Sequence, residues 1–584
     1  MPSPAADRPL RITALVKQIP KFEEMRLGDD GRLVRDGVEL HMNDYCRRAV
    51  RTGCDLAEAT GGTCTAITLG PPEAHTVLRE AILCGCAAGL HVSDPAFAGS
   101  DTLATARALA GALEAHGPWD LVLCGRNSVD ADTGQVPAQV AELLGLPFLS
   151  GVRELDLVKG TVRVLLEHDD EWVRAEVDLP AVLSCAERLC DPCKVKEPEA
   201  WATVDARLLT TITATEIGPG PWGQAGSPTS VGEVRVLEVP RTGERLEGAG
   251  TGQVDRVVEV LRDRGALVAD DRPPGRVPEP SASGPEVVVL VEPDRERVAA
   301  ELLAVAAGLG SRVTAIGIGA TGELSKRGAD RVLGVDGTPH EDDLAALLAD
   351  HLAVDPPWAL LAPGTAWGRH VTSRLAARLG AGLIGDAVGI ERRDDRLVAL
   401  KPAFGGRLVA EITCSSPIQM ATVRPGVLPL PEPRGPRRIE VEHLRGDVRG
   451  RVRVLERWRD DDADLLANAE VVVGVGVGVD PDDLPLVRQC AEDLGAELCA
   501  TRKVTDAGWM PRARQVGITG HSIAPRLYVA IGISGRFNHT IGVRQAGTIV
   551  GINTDPDCEL WEGCDIGLVA DWREALPALV ERLA

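Results

Sequence analysis

The sequence lacks a long uncharged segment, because no stretch of about 20 residues is free of Asp, Glu, Lys and Arg. It also lacks a cationic start that leads into an apolar stretch and a small-residue cleavage site, as a secretory signal would. Positive charge is in deficit, with 63 Lys and Arg against 86 Asp and Glu and a formal net charge of −23. These absences argue against membrane insertion and against nucleic-acid binding, since an acidic protein repels phosphates. We expect a cytoplasmic protein.

Metal-binding cysteine spacing is also lacking, although the chain has 14 cysteines, nine of them before residue 200. The close pairs are Cys84-Gly-Cys86 and Cys190-Asp-Pro-Cys193. A metal or cluster site usually needs two such pairs or a nearby set of histidines. We therefore predict packed, reduced thiols and no metal site, with a redox or metal role for Cys190 and Cys193 as the alternative.

Strand-like and helix-like segments alternate along most of the 584 residues, which are too many for one core. Short β-branched runs such as RITALVKQI, TCTAITLG and WDLVLCGRN are followed by amphipathic stretches such as TGQVPAQVAELLG. The same order returns from EVVVLVE onward, and a third module opens with AEVVVGVGVGV. This alternation predicts an α/β protein with parallel sheets covered by helices, in which the first two domains have related architecture.

Segments rich in Pro, Gly and charge mark the domain boundaries. One runs from VPRTGERLEGAGTG to ADDRPPGRVPEPSASGPE around a single helical stretch, and another contains PLPEPRGPRRIEVEH and ERWRDDDAD. The predicted division is 1–238 for the first domain, 239–285 for a linker, 286–430 for the second domain, 431–465 for a hinge and 466–584 for the last domain.

The last domain contains glycines at turns that flank strands, at Gly517, Gly520, Gly532 and Gly535. Such loops let backbone N–H groups approach a phosphate or a ring closely, which indicates a nucleotide site. The alternative is that these are ordinary strand-to-helix turns, which favour glycine for conformational reasons.

Five motifs follow one another between Leu498 and Asp571: LCATRKVTDAGWMP, RQVGITG, IAPRLYVAIGISGRFNH, IVGINTDPD and DIGLVAD. Their order and spacing resemble the flavin domain of the electron-transfer flavoprotein α subunit. GTAWGRHVTSRLAARLGAGLIGD and SSPIQMATVRPG resemble the first domain of that subunit, so this resemblance covers residues 286–584.

The front half resembles the β subunit of the same family over residues 10–200, through LVKQIP, HMNDYCRRAV, ITLGPPEAHTVLREAILCGC, LVLCGRNSVDADTGQV and LPAVLSCAERL. The chain therefore resembles a β-subunit/α-subunit fusion. The resemblance implies an α/β protein of three domains, two related parallel-sheet nucleotide-binding-type domains and a Rossmann-like FAD domain.

The resemblance implies an FAD site in the last domain. Arg502 would lie over the isoalloxazine, where a fixed guanidinium favours the reduced, anionic flavin and raises its potential. Thr519 would bond near N5 and His539 would lie by the carbonyl O2, where charge builds on reduction. The implied FAD residues are Thr501, Arg502, Gln515, Val516, Gly517, Thr519, Gly532, Ser534, Gly535, Asn538, His539, Asn553 and Asp571.

Structural roles stay open for three of these residues. Arg502 could form a surface ion pair, His539 could be a satisfied loop histidine, and Asp571 could cap the helix that begins near Trp572. For Asp571, capping and a contact to the adenosine end of FAD, which it would share with Asn553, are compatible.

A second nucleotide site is implied in the β-type half, at Asn43, Asp130, Asp132, Thr133 and Gln135. Acidic side chains in a loop suit ribose hydroxyls, and backbone amides at the start of the following helix suit phosphate. The occupant would be AMP or a second FAD. The alternative is that Asp132 and Thr133 only cap that helix.

The sequence departs from the family pattern at three places. Gly476 stands where the family usually has the arginine of a Gly-Gly-Arg-Gly turn, which removes a cation near the FAD diphosphate unless Arg512 or Arg514 replaces it. Ile518 stands where the family has a glutamine. After Arg188 the partner-docking loop diverges, with Trp201 as a candidate replacement anchor or as a residue packed on its own domain.

The resemblance implies an electron carrier that takes electrons from a dehydrogenase and gives them to a quinone reductase or another acceptor, without a catalytic residue of its own. One alternative is an NADH-oxidising, electron-bifurcating enzyme with a second FAD in the β-type site. Another is a nucleotide-binding protein without redox function. The sequence leaves a monomer and a swapped homodimer open.

Overall fold

The computed structural model describes residues 8–583 apart from 22–25, 28–32, 35–36, 170, 196, 237–240, 242, 268–274, 280–283, 311, 404–407, 436, 440, 447–448, 460–464, 467–468, 518–519 and 522. The chain divides into two compact units. Unit 1 comprises residues 1–235, 275–404 and 409–458, and unit 2 comprises residues 236–274, 405–408 and 459–584.

The strands in chain order are β1 (Arg11–Leu15), β2 (Gln18–Pro20), β3 (Arg26–Leu27), β4 (Leu33–Val34), β5 (Leu40–Met42), β6 (Thr63–Leu69), β7 (Ala88–Val92), β8 (Leu121–Gly125), β9 (Phe148–Val158), β10 (Thr161–Glu167), β11 (Glu171–Asp178), β12 (Ala181–Cys185), β13 (Leu209–Ile212), β14 (Thr229–Val236), β15 (Glu244–Glu247), β16 (Glu286–Val291), β17 (Arg312–Ile318), β18 (Arg331–Val335), β19 (Ala359–Pro363), β20 (Gly382–Ala387), β21 (Gly389–Arg393), β22 (Arg396–Ala403), β23 (Leu408–Cys414), β24 (Gln419–Val423), β25 (Val441–Leu444), β26 (Val452–Arg459), β27 (Val471–Val475), β28 (Glu497–Ala500), β29 (Leu527–Ile531), β30 (Thr548–Asn553) and β31 (Ile566–Val569).

The α-helices are α1 (Asp44–Thr60), α2 (His75–Leu83), α3 (Thr102–His116), α4 (Val136–Leu143), α5 (Pro198–Ala202), α6 (Ala214–Ile217), α7 (Thr251–Asp263), α8 (Glu296–Leu309), α9 (Glu341–Leu352), α10 (Ala366–Leu379), α11 (Leu484–Asp493), α12 (Arg502–Asp506), α13 (Phe537–Thr540) and α14 (Trp572–Leu583). Over the described part of the chain, none of the helices has the length and apolar character that a membrane span requires.

Unit 1 contains two sheets of matching topology. In the first, the order is β13-β7-β6-β1-β8-β12-β9-β10-β11-β26, and the strands from β13 to β9 are parallel. In the second, the order is β20-β24-β19-β16-β17-β18-β25, and all neighbours are parallel. The strand sequence reverses at β1/β8 in one sheet and at β16/β19 in the other. The predicted α/β fold class with related parallel-sheet domains is confirmed.

The two halves of unit 1 exchange edge strands. β14 of the first half extends the β21–β23 sheet of the second, and β26 of the second half extends the β9–β11 hairpins of the first. Two ion pairs join β11 and β26. Arg174 pairs with Glu456 at 2.8 Å, and Arg453 pairs with Glu176 at 2.9 Å. The segment predicted as a hinge therefore supplies β25 and β26, whose exposed side chains explain its polar composition.

Unit 2 is a parallel sheet in the order β15-β31-β30-β29-β27-β28. Its edge strand β15 and the helix α7 come from the segment predicted as a linker. Val254, Val257 and Leu261 of α7 are buried in one core with Leu576 and Leu579 of α14. The helical stretch seen in the sequence is α7, whereas the strand β15 was not predicted, because it is short and polar and its pairing partner β31 lies more than 300 residues later.

Candidate nucleotide sites

Unit 2 has a topological switch point between β27 and β29. From β27 the chain moves to β28 on one side, and then returns to β29 on the other side. In parallel sheets, ligands bind in the crevice that such a reversal opens beyond the carboxyl ends of the strands. The residues that follow β27 to β31 therefore form the candidate site.

Two glycine loops meet in this crevice. The N–H of Gly476 donates to the carbonyl of Ile531 at 2.9 Å, and that of Gly478 donates to the carbonyl of Gly532 at 3.1 Å. A Cβ on Gly476 would lie 2.0 Å from the carbonyl oxygen of Gly532, so this position admits no side chain. Gly535 has φ of +79°, and a Cβ there would lie 2.0 Å from the nitrogen of Leu560. Glycine is therefore required at both positions, because the backbone of a neighbouring segment occupies the space that a side chain would take.

The absence of an arginine at 476 is consequently a property of the loop geometry. The two proposed replacements are engaged elsewhere. Arg512 donates to Oε1 of Gln515 at 2.6 Å, and Arg514 forms an ion pair with Glu497. Both guanidinium groups therefore help to fasten the segment after β28.

Thr501 and Arg502 follow β28 directly. Thr501 precedes α12, and its N–H donates to the carbonyl of Val475 at 3.0 Å. Arg502 is the first residue of α12, and its exposed guanidinium pairs with Asp506 at 3.2 Å. An exposed ion pair of this kind contributes little free energy, so Arg502 can exchange it for another anionic group.

Gln515, Val516 and Gly517 form a short buried segment beside β28. The side chain of Gln515 is fully buried, and its Oε1 accepts from Thr505 Oγ1 at 2.7 Å. The N–H of Val516 donates to the carbonyl of Ala500 at 3.0 Å, and Gly517 has φ of +136°. Thr519 and Ile518 lie outside the described residues.

His539 lies in α13 with both ring nitrogens engaged inside the module. Nδ1 is 3.0 Å from the carbonyl of Val516 and therefore carries the proton, so Nε2 accepts from the hydroxyl of Tyr528 at 2.7 Å. Burial lowers the pKa of His539 to about 4, although the hydrogen bond to Val516 opposes this. The imidazole is neutral near pH 7, and its contact with flavin stays a prediction.

The remaining predicted FAD residues also follow strand ends. Gly532 and Ser534 follow β29, and Ser534 is exposed. Asn553 ends β30, and its Nδ2 donates to the carbonyl of Ile533 at 2.8 Å. Asp571 follows β31, and its Oδ1 accepts from the N–H of Arg573 at 2.9 Å, as a helix cap does. Asn538 belongs to α13, and its side chain lies outside the described ones.

The second predicted site lies at the β1/β8 switch point of unit 1. Asn43 immediately precedes α1 and is fully buried, and its Nδ2 donates to the carbonyl of Asn127 at 2.8 Å. Lys17 follows β1 and pairs with Asp130 at 2.8 Å. Burial opposes ionisation of Asp130, but Lys17 lowers its pKa below the usual value. The loop after β8 is therefore anchored to the loop after β1.

Asp132, Thr133 and Gln135 complete this loop. Asp132 has φ of +45°, and its Oδ1 accepts from Asn127 Nδ2 at 2.8 Å. Burial raises the pKa of Asp132, and the neighbouring carboxylate of Asp386 adds to this. Gln135 precedes α4 and accepts from Thr102 Oγ1 at 2.7 Å. Thr133 is half-buried between them. Four of the five predicted residues thus belong to the segment after β8, and the fifth, Asn43, is hydrogen-bonded to that segment. Their contact with a nucleotide stays a prediction.

The equivalent β16/β19 switch point contains a carboxylate that sequence reasoning missed. Asp169, from the hairpin between β10 and β11, accepts from the N–H of Ala366 at 2.7 Å, at the first turn of α10. Burial opposes its ionisation, but Arg369 and Arg126 hold the pKa of Asp169 at about 2. A protein carboxylate thus takes the helix terminus that a phosphate could use.

The loop after Arg188 packs on its own domain. Trp201 Nε1 donates to the carbonyl of Val195 at 2.9 Å, and Arg79 donates to the carbonyl of Trp201 at 3.2 Å. Cys190 and Cys193 are both free thiols, with Cys190 Sγ 3.5 Å from Thr52 Oγ1 and Cys193 Sγ 3.3 Å from the carbonyl of Arg47. Trp201 thus has a structural explanation without a partner.

Comparison with known proteins gives one family for most of the chain. The electron transfer flavoprotein domain matches residues 30–210 and 288–447, and the electron transfer flavoprotein FAD-binding domain matches residues 465–544. Protein FixB of Clostridium saccharobutylicum is 33% identical over 309 residues, which cover 50% of this chain and 92% of FixB.

Two further relatives extend this likeness. The electron transfer flavoprotein subunit beta of Thermoanaerobacterium thermosaccharolyticum is 32% identical over 258 residues, which cover 44% of this chain and 99% of that subunit. The subunit LctC of an Acetobacterium woodii lactate dehydrogenase (NAD(+),ferredoxin) is 32% identical over 268 residues, which cover 44% of this chain and 64% of LctC. The chain belongs to the electron transfer flavoprotein family, with β-type and α-type halves joined in one polypeptide and an FAD-binding domain of the α type.

Proposed function

We propose that this flavoprotein is an electron carrier that accepts electrons from a dehydrogenase and passes them to a quinone reductase or another redox acceptor. The observation that carries the proposal is the switch point at β27/β29 in a domain that matches the electron transfer flavoprotein FAD-binding domain, with glycine turns after both strands. A crevice of this kind is where parallel sheets bind nucleotides. FAD bound there supplies one- and two-electron chemistry.

The side chains at this crevice suit electron transfer better than proton transfer. His539 is neutral and uses both ring nitrogens within the module. Arg502 is an exposed cation at the carboxyl end of β28 and forms an ion pair with the exposed carboxylate of Asp506. A fixed positive charge beside a redox ring favours its reduced form, because reduction adds negative charge.

The site at β1/β8 takes AMP in this proposal. Its acidic loop is pinned by Lys17 and Asn127, and it offers carboxylates for ribose hydroxyls and the start of α4 for a phosphate. AMP there would have a structural role, since it ties the loops after two adjacent strands together.

A second candidate is an NADH-oxidising, electron-bifurcating flavoprotein with a second FAD at β1/β8. The observation that favours it is the likeness to LctC, whose name describes a subunit of an NAD(+)- and ferredoxin-dependent lactate dehydrogenase. The two candidates differ in the nucleotide at one site, so the same measurement separates them.

The test is to saturate the purified chain with FAD, remove the excess, denature the protein and count FAD and AMP per chain. A carrier should release one FAD and one AMP. Asn43→Ala should then lose AMP and keep FAD, whereas Asn553→Ala should lose FAD and keep AMP. These two asparagines form a matched pair, since each anchors a loop of one site by donating to a backbone carbonyl.

Two FAD and no AMP, with one FAD lost in Asn43→Ala and anaerobic bleaching of the flavin by NADH, would support the bifurcating enzyme and refute the simple carrier. Absence of flavin after saturation would refute both and would leave a nucleotide-binding protein without redox function.

A further inference from the structure

Three thiols that belong to neither nucleotide site converge in the first half of unit 1. Cys54 lies on α1, Cys64 on β6, and Cys86 between α2 and β7. Sγ of Cys86 is 3.8 Å from Sγ of Cys54 and 3.7 Å from Sγ of Cys64, and all three sulfurs lie within 4.8 Å of one another.

These separations match those of ligands around one metal ion. Thiolates at about 2.3 Å from a tetrahedral Zn²⁺ lie roughly 3.8 Å apart. A disulfide would require an S–S distance of about 2.05 Å, little more than half of what is observed. Iron–sulfur clusters are usually held by four cysteines, and the converging group has three.

The backbone holds these cysteines in position. The N–H of Ala87 donates to the carbonyl of Cys64 at 2.8 Å, which fixes the segment that carries Cys86 beside β6. Helix α1 crosses β6 closely, because a Cβ on Gly53 would lie 2.8 Å from Sγ of Cys64. Glycine at 53 therefore lets its neighbour Cys54 reach the other two sulfurs.

The three cysteines differ in their exposure to solvent. Cys64 and Cys86 are buried, with side chains 2% and 4% exposed, whereas Cys54 is only half-buried. An ion could therefore enter past Cys54, and its fourth position would face the more open side. Cys84, although two residues from Cys86, does not belong to the converging group.

We propose that Cys54, Cys64 and Cys86 form a three-thiolate binding site for a thiophilic metal ion such as Zn²⁺. The ion would clamp α1, β6 and the turn before β7, which are the elements that support the β1/β8 crevice. The site is invisible to motif reading because its ligands are 10 and 22 residues apart on three different elements.

The test uses the full-length protein, reduced, treated with chelator and desalted, with Co²⁺ as a spectroscopic probe. We expect about one Co²⁺ per chain, with thiolate–cobalt bands at wavelengths beyond the absorption of oxidised flavin and displacement of Co²⁺ by Zn²⁺. Cys54→Ala, Cys64→Ala and Cys86→Ala should each weaken Co²⁺ binding by more than the roughly 10–100-fold that loss of an outer-shell contact costs. Cys414→Ala, which removes another buried thiol of unit 1, should leave the bands unchanged.

A reduced wild-type protein without thiolate–cobalt bands would overturn the proposal, as would bands that persist at full strength in all three variants. A second measurement does not depend on the variants. Zn²⁺ should slow the alkylation of Cys54, followed by peptide mass spectrometry, and should leave the half-buried Cys558 unaffected. Equal rates of Cys54 alkylation with and without Zn²⁺ would also overturn the proposal.

Discussion

Replacing Gly476 by alanine adds one methyl group at the point where the two glycine loops of unit 2 touch. The added Cβ would lie 2.0 Å from the carbonyl oxygen and 2.5 Å from the carbonyl carbon of Gly532. Both atoms belong to the backbone, so no side-chain rotation can relieve the contact. The loop after β29 must move away from the loop after β27.

The loss of stability can be estimated from the backbone movement that the added methyl group requires. Overpacking usually costs about 1–3 kcal/mol, and a backbone contact belongs at the upper end, so we expect a loss of about 3 kcal/mol. For a unit of this size the thermal midpoint falls by about 2–4 °C per kcal/mol, which predicts a decrease of about 6–12 °C. Because the displaced carbonyl accepts from the N–H of Gly478, the diphosphate crevice should open and FAD affinity should fall as well.

The assay is thermal unfolding followed by flavin fluorescence, together with FAD titration of the stripped protein. The matched control is Gly252→Ala in α7 of the same unit, where an added Cβ has nothing within 4 Å. That variant should be neutral or up to about 1 kcal/mol more stable, because alanine favours a helix over glycine. A Gly476→Ala protein with unchanged midpoint and FAD affinity would refute the loop geometry.

Three further predictions concern titratable or charged side chains. Asp169→Asn should reduce the free energy of unfolding by about 2 kcal/mol at neutral pH, because the pKa of Asp169 is about 2 in the folded state and 3.8 ordinarily, which favours the folded state above pH 3.8. In urea denaturation, the difference from wild type should vanish as the pH falls towards 2. His539→Gln should remove a pH dependence of stability. The wild-type free energy of unfolding should fall by about 1.4 kcal/mol per pH unit between pH 6.5 and 4, because the imidazole is protonated in the unfolded chain but stays neutral when buried. An unchanged slope in the variant would contradict this. Arg502→Met should lower the reduction potential of bound flavin by at least about 60 mV, which is a tenfold change in a one-electron equilibrium, as measured by spectroelectrochemical titration. The control variant Lys503→Met, at the next residue, should shift the potential less.

Much of the fold could be predicted because its signal is local. Buried parallel strands are β-branched runs, as in EVVVLV of β16, and each is followed by an amphipathic helix. The edge strands β15, β25 and β26 could not be predicted in this way. They are short or largely exposed, and their partners lie far away in sequence, so nothing in their own composition reveals the pairing.

The candidate sites also contain residues that could be predicted from the sequence and residues that could not. The glycines of the last domain could be singled out because they lie at turns that flank recognisable strands, and the loop from Asp130 to Gln135 was predicted from the resemblance to the family. Asp169 could not, because its importance comes from a helix terminus nearly 200 residues later. The cysteine group was missed for a related reason, since three elements that are separated in sequence bring Cys54, Cys64 and Cys86 together.

The three switch points bear on the proposal that this chain binds two nucleotides and not three. Each parallel sheet opens a crevice where its strand order reverses, at β1/β8, β16/β19 and β27/β29. At β16/β19 the carboxylate of Asp169 already accepts from the first turn of α10 and lies between Arg126 and Arg369, so an anionic ligand would have to displace a buried anion. At β1/β8 the cation Lys17 pairs with Asp130 of the loop after β8, and at β27/β29 the loops after both strands contain glycines. Under the proposed function, the same architecture is filled from within at one place and holds a nucleotide at each of the other two. The carboxylate that fills the first place comes from the other half of the chain.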